Sequence, residues 1–565
     1  MENRPWHTRY PKNVRPSIET GGYESVAQLL EKFVGKFKDE VAFVNFGKEM
    51  TYKRLDELAT QFAAYLQGKG LKSGDRIAFQ MPNLLQYPVV MFGALKAGLI
   101  IVNTNPLYTP REMEHQFRDS GSVAIVILAN FARNLQEILD KTDLRLVIIT
   151  ETGDMVGGIK GPLINFVVRK VKKMVPPYKI PGAVTFHQAM AEGSKMTFSP
   201  VRISKTDVAF LQYTGGTTGV SMGATLTHEN IIANMLQVRE YMNPRFIEGD
   251  ELVITALPLY HIFALTVNFL CMFQLGARNI LITNPRDIPG FIKELKKHKF
   301  TFISGVNTLF NGLLNNPEFK EVDFSRLRVS VGGGMAVLQS VAERWKKLTN
   351  IPLVEGYGLS ETAPVLSCNP IDGTEKNGTI GLPLPETDLK VIDDDGKDLA
   401  AGHPGEICAK GPQVMKGYWN RDEETKKVFL EGGWMRTGDI GLLQEDGFFK
   451  IIDRKKDMIL VSGFNVYPSE IEDVVSMMEE VLEVGAVGVP DEYSSEAVKL
   501  FIVRKNENLT REEVKAYCRK NLAGYKNPKY IEFVRELPKT NVGKILRRKL
   551  RELELTAPAA GSIVK

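Results

Sequence analysis

Disulfides, zinc sites and membrane spans all lack the residues they would need here. The four cysteines, Cys271, Cys368, Cys408 and Cys518, are widely spaced and form no CxxC pair. That argues against a disulfide framework or a zinc site and suits a reducing cytoplasm. Charge of one sign is also scarce. With 72 basic and 67 acidic residues the net charge is only +5, so no nucleic-acid partner is expected. Internal repeats and low-complexity tracts are absent, and the N-terminal MENRPWHTRYPK has no apolar signal-peptide core. The stretch LPLYHIFALTVNFLCMFQLGA (257–277) carries no formal charge, but its helical part starts only after Pro258. About fifteen residues remain, short of the roughly 20 a span needs. A buried helix that walls a tunnel for an apolar ligand is expected instead, with His261 at its start.

What the chain does have is a concentration of glycine and threonine. YTGGTTGVSMGATLTH (213–228) holds four glycines and five threonines in sixteen residues. Glycine lets backbone N–H groups converge on an anion without steric cost. Thr214, Thr217 and Thr218 add hydroxyls for phosphate or a magnesium ion. An apolar run, Val208–Tyr213, reads as a buried strand before it, and Thr227 can cap a helix beginning near Glu229. The pattern is that of a phosphate cradle, although it does not match GxxxxGK[ST].

At 565 residues the chain exceeds a single core, so two or more domains are expected. Helices alternate with apolar β-branched runs such as VAIVIL (123–128) and LRLVIIT (144–150). That alternation predicts doubly wound, parallel α/β sheets in a large N-terminal domain over 1–452. LRVSVGGGM (327–335) and IPLVEGYGLSET (351–362) predict strands ending in loops at the carboxyl edge, where open α/β sheets bind ligands. Short alternating strands from about 385 to 452 predict a β-rich subdomain. The charge cluster of IDRKKDMILVSG suits a hinge at 453–458, and 459–565 reads as a small, mobile α+β domain. GPLINFVVRKVKKMVPPYK (161–179) predicts a basic amphipathic helix, with Ile164, Val168, Val171 and Val175 on one face. Arg169, Lys172 and Lys173 fall opposite, a pattern that fits either an ordinary surface helix with a solvated lysine face or peripheral contact with the inner membrane surface.

YTGGTTG, YGLSET, WMRTGDIG, DRKKDMILVSGFNVYP and PKTNVGKILRR occur in this order and spacing. Together they resemble the acyl-adenylate-forming (AMP-binding) superfamily. MPNLLQYPVVMFGALKAGLIIVNTNPLYTPRE, ALPLYHIFALT and GVNTLFN are most like bacterial long-chain fatty-acid–CoA ligases, and the likeness runs from about Arg9 to Arg551. The resemblance implies ATP, Mg²⁺ and CoA as cosubstrates and cofactor, with a medium- or long-chain fatty acid activated to acyl-AMP and passed to CoA. It leaves a homodimer open.

By the same resemblance Lys544 supplies a cation at the α-phosphorus, and His261 lies beside the carboxylate. Thr214 and Glu361 hold the metal. Tyr213, Gly215, Gly216, Thr217, Thr218, Gly219 and Gly223 wrap the β- and γ-phosphates. Gly332, Gly333 and Gly334 enclose adenine with Glu355, Gly356 and Tyr357, and Ser360 joins the nucleotide site. Asp439 and Arg454 hold ribose, Lys456 is the hinge, and Gly463 and Phe464 reach the CoA tunnel once the C-terminal domain swings.

One position departs from the pattern. Where the superfamily usually has Gly-x-x-Lys-Gly, this chain reads Gly219-Val220-Ser221-Met222-Gly223. Losing a charge-assisted hydrogen bond, about 1.5–3 kcal/mol, predicts a weakened adenylation step. An acyl-adenylating enzyme for another carboxylate or acceptor, or an impaired paralogue that only binds, are the alternatives.

Overall fold

The computed structural model describes residues 4–19, 21–215, 221–491, 493–540 and 543–556. The alternating pattern becomes two large sheets. In the first, Arg76–Gln80, Ile100–Asn103, Ser122–Leu128, Leu146–Thr150 and Val208–Gly215 run parallel, ending in the antiparallel Ser221–Thr227. In the second, Val41–Asn45, Arg278–Leu281, Leu252–Thr255, Phe302–Gly305, Val329–Gly333 and Leu353–Gly358 are parallel. These central strands are buried on both faces, which is why they read as unbroken apolar runs. Phe43 of the earliest strand pairs with Asn279, so the N-terminal residues of the chain complete the second sheet.

Within the 257–277 stretch a buried helix runs over 262–273, with a π-helical segment over Ala264–Cys271. It packs against the His228–Met242 helix within the largest apolar core. Among the described residues no helix is long and apolar enough to cross a membrane.

The β-rich region forms as expected from Asp388–Ile392, Gly405–Lys410, Trp434–Leu443 and Phe449–Arg454. It is not self-contained, because Gly417–Tyr418 leaves to pair with Ser221–Thr227 of the first sheet. The C-terminal residues build a separate sheet around the Val481–Asp491/Ser495–Arg504 hairpin, with its own core of Ile459, Val466, Ile471, Leu500 and Val514.

Three local expectations need correction. Ser221–Thr227, taken as loop, is a strand, and the capped helix starts at His228; Thr227 does cap it, through a capping box with Asn230. FARNLQEILDK (131–141), whose sequence alone reads as one helix before LRLVIIT, is a helix only over Ala132–Gln136, between 3₁₀ turns. The amphipathic helix covers Lys160–Phe166 and a π turn, Val167–Val171, rather than 161–179. A π turn shifts the register of the faces. As a result Leu163, Phe166 and Val171 face solvent, while Arg169 turns inward to pair with Glu151.

Candidate active site

The strand Val208–Gly215 and its return, Ser221–Thr227, place Thr214 opposite Met222 and Tyr213 opposite Gly223. Gly216, Thr217, Thr218 and Gly219 lie outside the described residues. Thr214 Oγ1 lies 3.4 Å from Glu361 Oε1, and that oxygen also accepts the Tyr418 hydroxyl at 2.9 Å. A hydroxyl and a carboxylate therefore meet at the base of the glycine-rich hairpin.

Beside them the predicted strands end in bare backbone. Gly332 pairs with Glu355 and Gly333 with Gly356. A Cβ on Gly332 would stand 2.3 Å from Val337 Cγ2, and one on Gly333 would stand 2.9 Å from the Phe263 ring. Gly334 takes φ +76°, where side chains are strained. Burial pushes the Glu355 carboxyl up to about 8, so at neutral pH it meets a neighbouring group as an uncharged acid. Ser360 opens the short turn that carries Glu361. Tyr357 donates to Asp439 Oδ2 at 2.7 Å, and Arg454 Nε lies 3.1 Å from Asp439 Oδ1. The Asp439 charge holds the Arg454 guanidinium protonated, above its usual range.

The C-terminal domain closes over this face and brings Lys544 in. Thr308 Oγ1 donates to Gly543 O at 2.8 Å, and Asn311 donates to Leu482 O at 2.9 Å. Gly543 sits at φ +84°, and a Cβ there would come within 2.6 Å of Thr308 Oγ1, so the approach needs glycine. Burial, then the charges of Arg454, Arg547 and Lys456, lower Lys544 to about 8. Burial and the nearby Lys544 hold His261 down at about 4. Its Nδ1 accepts the Phe263 N–H at 3.3 Å, as a neutral imidazole does. Thr214, His261, Glu355, Asp439 and Lys544 line one cavity of about 2520 Å³, which continues past Val238, Met242, Leu257 and Val267 into the apolar core.

Residues 453–457 divide between two anchors. Arg454 is held by Asp439 of the large domain. Asp453 and Asp457 are held by Arg547, and Asp457 also by Arg551, both from the C-terminal helix. Lys456 lies between them, and burial lowers its ammonium below its usual range. Gly463 and Phe464 are not brought to the cavity: Phe464 is exposed and stacks on Tyr525 at 4.7 Å. Tyr418, Thr308 and Arg547 were not foreseen. Each acts through a partner far away in sequence, and only a basic run before position 550 hinted at Arg547.

The AMP-binding enzyme family matches residues 30–419, and the AMP-binding enzyme C-terminal domain matches 470–544. The chain belongs to the AMP-binding enzymes. Among AMP-binding enzymes it is 56% identical over 548 residues to the long-chain-fatty-acid–CoA ligase of Escherichia coli O157:H7, covering 97% of this chain and 98% of that one. It is 39% identical to the ligase of the same name from Bacillus subtilis (strain 168), covering 98% and 99%. The crystal structure of ATP-bound MatB from Rhodopseudomonas palustris superposes with a TM-score of 0.80 at 28% identity, covering 94% of this chain and 99% of that one. Apo MatB superposes at 0.71, covering 93% and 98%.

Proposed function

We propose that the protein is an ATP-dependent long-chain fatty-acid–CoA ligase that works in two half-reactions. The observation that carries this reading is the meeting of Lys544, from the C-terminal domain, with His261, Asp439 and the Thr214–Glu361 pair in one cavity that runs on into an apolar core. A fatty carboxylate oxygen attacks the α-phosphorus of ATP, pyrophosphate leaves, and the CoA sulfur then attacks the acyl carbonyl and displaces AMP. Negative charge builds up at the first step, so the Lys544 ammonium, preorganised beside it, lowers that barrier. Neutral His261 bounds the carboxylate end of the tunnel without competing for the proton. Asp439, already accepting two donors, exchanges them for ribose hydroxyls. An acyl chain in the tunnel gains about 0.8 kcal/mol per buried CH₂, so tunnel depth selects chain length.

The Thr214–Glu361 pair fits Mg²⁺, which takes oxygen ligands and fills its remaining positions with water and phosphate oxygens. Bound there, the ion would neutralise phosphate charge, and Tyr418 would keep Glu361 oriented.

The domain boundaries at 452 and 459, with the pivot at Lys456, are part of the same proposal. The present pose suits adenylation: Lys544 is in, the Gly463–Phe464 loop is out, and the superposition is better on ATP-bound than on apo MatB. The deciding assay is ATP- and CoA-dependent thioester formation across fatty-acid chain lengths. Thioester from long chains is expected, and none from any fatty acid would overturn the reading.

Lys544 makes the first half-reaction pH-dependent. Its ordinary value is 10.5 and its value in the closed pose about 8. The solvated lysine binds the proton more tightly, so closure of the free enzyme strengthens as pH rises from 8 to 10.5, while the cation that adenylation needs is lost. kcat/KM for ATP–pyrophosphate exchange should therefore fall about tenfold per pH unit above 8. The Lys544→Arg variant should remove that limb. A flat profile to pH 10 would count against the role.

Peripheral membrane contact is carried by Ile159, Leu163, Phe166, Val171 and Met174, all more than half exposed, beside exposed Lys170, Lys172 and Lys173. Apolar side chains ringed by lysine suit an anionic bilayer surface. Co-sedimentation with phosphatidylglycerol vesicles should drop on Leu163→Asp/Phe166→Asp while activity on micellar substrate persists. Unchanged sedimentation would remove the proposal.

A further inference from the structure

The methionine in the phosphate loop leaves a charge to be accounted for. Met222 lines the cavity opposite Thr214, so the side chain at this position sits next to the metal pair. A lysine there would reach the terminal phosphates, and methionine offers them neither charge nor a hydrogen bond. A chain this similar to fatty-acid–CoA ligases calls for a cation from elsewhere.

The topology points to where it comes from. Ile100–Asn103 and Val208–Gly215 are adjacent and parallel, with Ile101 opposite Phe210 and Asn103 opposite Gln212. Their carboxyl edges are therefore side by side. The helix that follows the first of them, Pro110–Ser120, runs back down the face of the second. Hydrogen bonds tie it to three neighbouring strands: Gln116 donates to Asn103 O at 2.9 Å, Tyr213 OH donates to Asp119 at 2.7 Å, and His115 Nε2 lies 2.8 Å from Ser221 O. Asp119 is thus level with Tyr213, and His115 with Ser221, whose strand partner is Gly215. Four helical residues advance about 6 Å, and two strand residues about 6.6 Å, so helix and hairpin keep pace. The next turn of the helix carries Arg111 along the wall of the cavity that Thr214, Ser221 and Met222 also line.

Arg111 is exposed, lines the cavity, and has no hydrogen bond or ion pair among the described residues. The two carboxylates nearest it on the helix are engaged elsewhere: Glu112 accepts from the Thr109 N–H and hydroxyl at 2.8 Å, and Glu114 pairs with Arg118 and Lys141. The Arg111 guanidinium presents a fork of donors suited to two phosphate oxygens at once. We infer that Arg111 supplies to the β- and γ-phosphates of ATP the positive charge that Met222 cannot. The inference rests on the ligase reading. Lys427, which lines the cavity from the other side of the Ser221–Thr227 strand, is the rival cation.

Calorimetric titration of the full-length protein with Mg-ATP and with AMP, without fatty acid, tests this. Arg111→Ala should weaken ATP about tenfold to a hundredfold, the range for a charge-assisted contact, and leave AMP unchanged, because AMP lacks both outer phosphates. Retained AMP binding also certifies the fold. Arg111→Lys should recover part of the loss, and Lys427→Ala should show none. In a Met222→Lys background, with the lysine restored, Arg111→Ala should cost much less. Equal losses for ATP and AMP, no loss for ATP, the same loss in both backgrounds, or an ATP-specific loss from Lys427→Ala instead would each overturn the inference. Wild-type protein that makes no acyl-CoA would overturn the ligase reading, a separate result.

Discussion

Lys544→Ala should reduce fatty-acid-dependent ATP–pyrophosphate exchange by roughly 10²–10³-fold, the cost of one preorganised charge at a reacting centre. The same variant should convert supplied acyl-AMP and CoA to thioester at nearly the parental rate. The two halves separate because Lys544 is held at the cavity by contacts that join different domains, among them the Gly543–Thr308 latch, the Arg286–Thr540 contact and the Asn311–Leu482 contact. When those contacts open, the lysine leaves with its domain. A comparable loss in both half-reactions would mean that Lys544 acts in neither one specifically, and the assigned role would fail.

Asp439→Ala should act on binding and stability together. Its buried carboxylate accepts the Tyr357 hydroxyl and pairs with Arg454, and the substitution takes the acceptor from the first and the counter-charge from the second. An orphaned buried hydroxyl costs about 1–3 kcal/mol. The unpaired guanidinium adds less than a fully buried one would, because Arg454 is over a third exposed. Denaturant unfolding should register a loss on the order of 2–4 kcal/mol. KM for ATP should rise on the order of a hundredfold, since two hydrogen bonds to a charged acceptor are removed. Asp439→Asn keeps an acceptor without the charge and should fall between the two. A variant as stable as the parent, with unchanged KM, would show that the ribose is held elsewhere.

Much of the fold was legible in the sequence because parallel strands buried on both faces leave continuous apolar runs, and capping boxes such as Thr227–Asn230 mark where helices begin. The strand Ser221–Thr227 was missed because glycine, alanine and threonine carry no strand pattern of their own; pairing with Val208–Gly215 makes it one. The 160–171 helix was read too long and with the wrong exposed face because a π turn changes the register, and neither composition nor periodicity records that turn. Within the site, motif order singled out Lys544, Asp439 and the Thr214–Glu361 pair, which the fold brings to one cavity. It was silent on Tyr418, Thr308 and Arg111, whose importance comes from neighbours brought together only by folding. The Gly463–Phe464 pair was equally legible, yet this pose leaves it outside the cavity.

The pairing of Phe43 with Asn279 sets a problem of timing. The Val41–Asn45 strand emerges from the ribosome early, but the strand beside it is made more than 230 residues later, at Arg278–Leu281. At about 5–20 residues per second the wait is on the order of ten seconds or more. For that interval an apolar strand, with only its Lys48–Thr51 hairpin partner, presents an open edge to other nascent chains. The Val41–Asn45 strand can therefore join the second sheet only after synthesis passes Leu281, and until then its Lys48–Thr51 hairpin partner covers one edge.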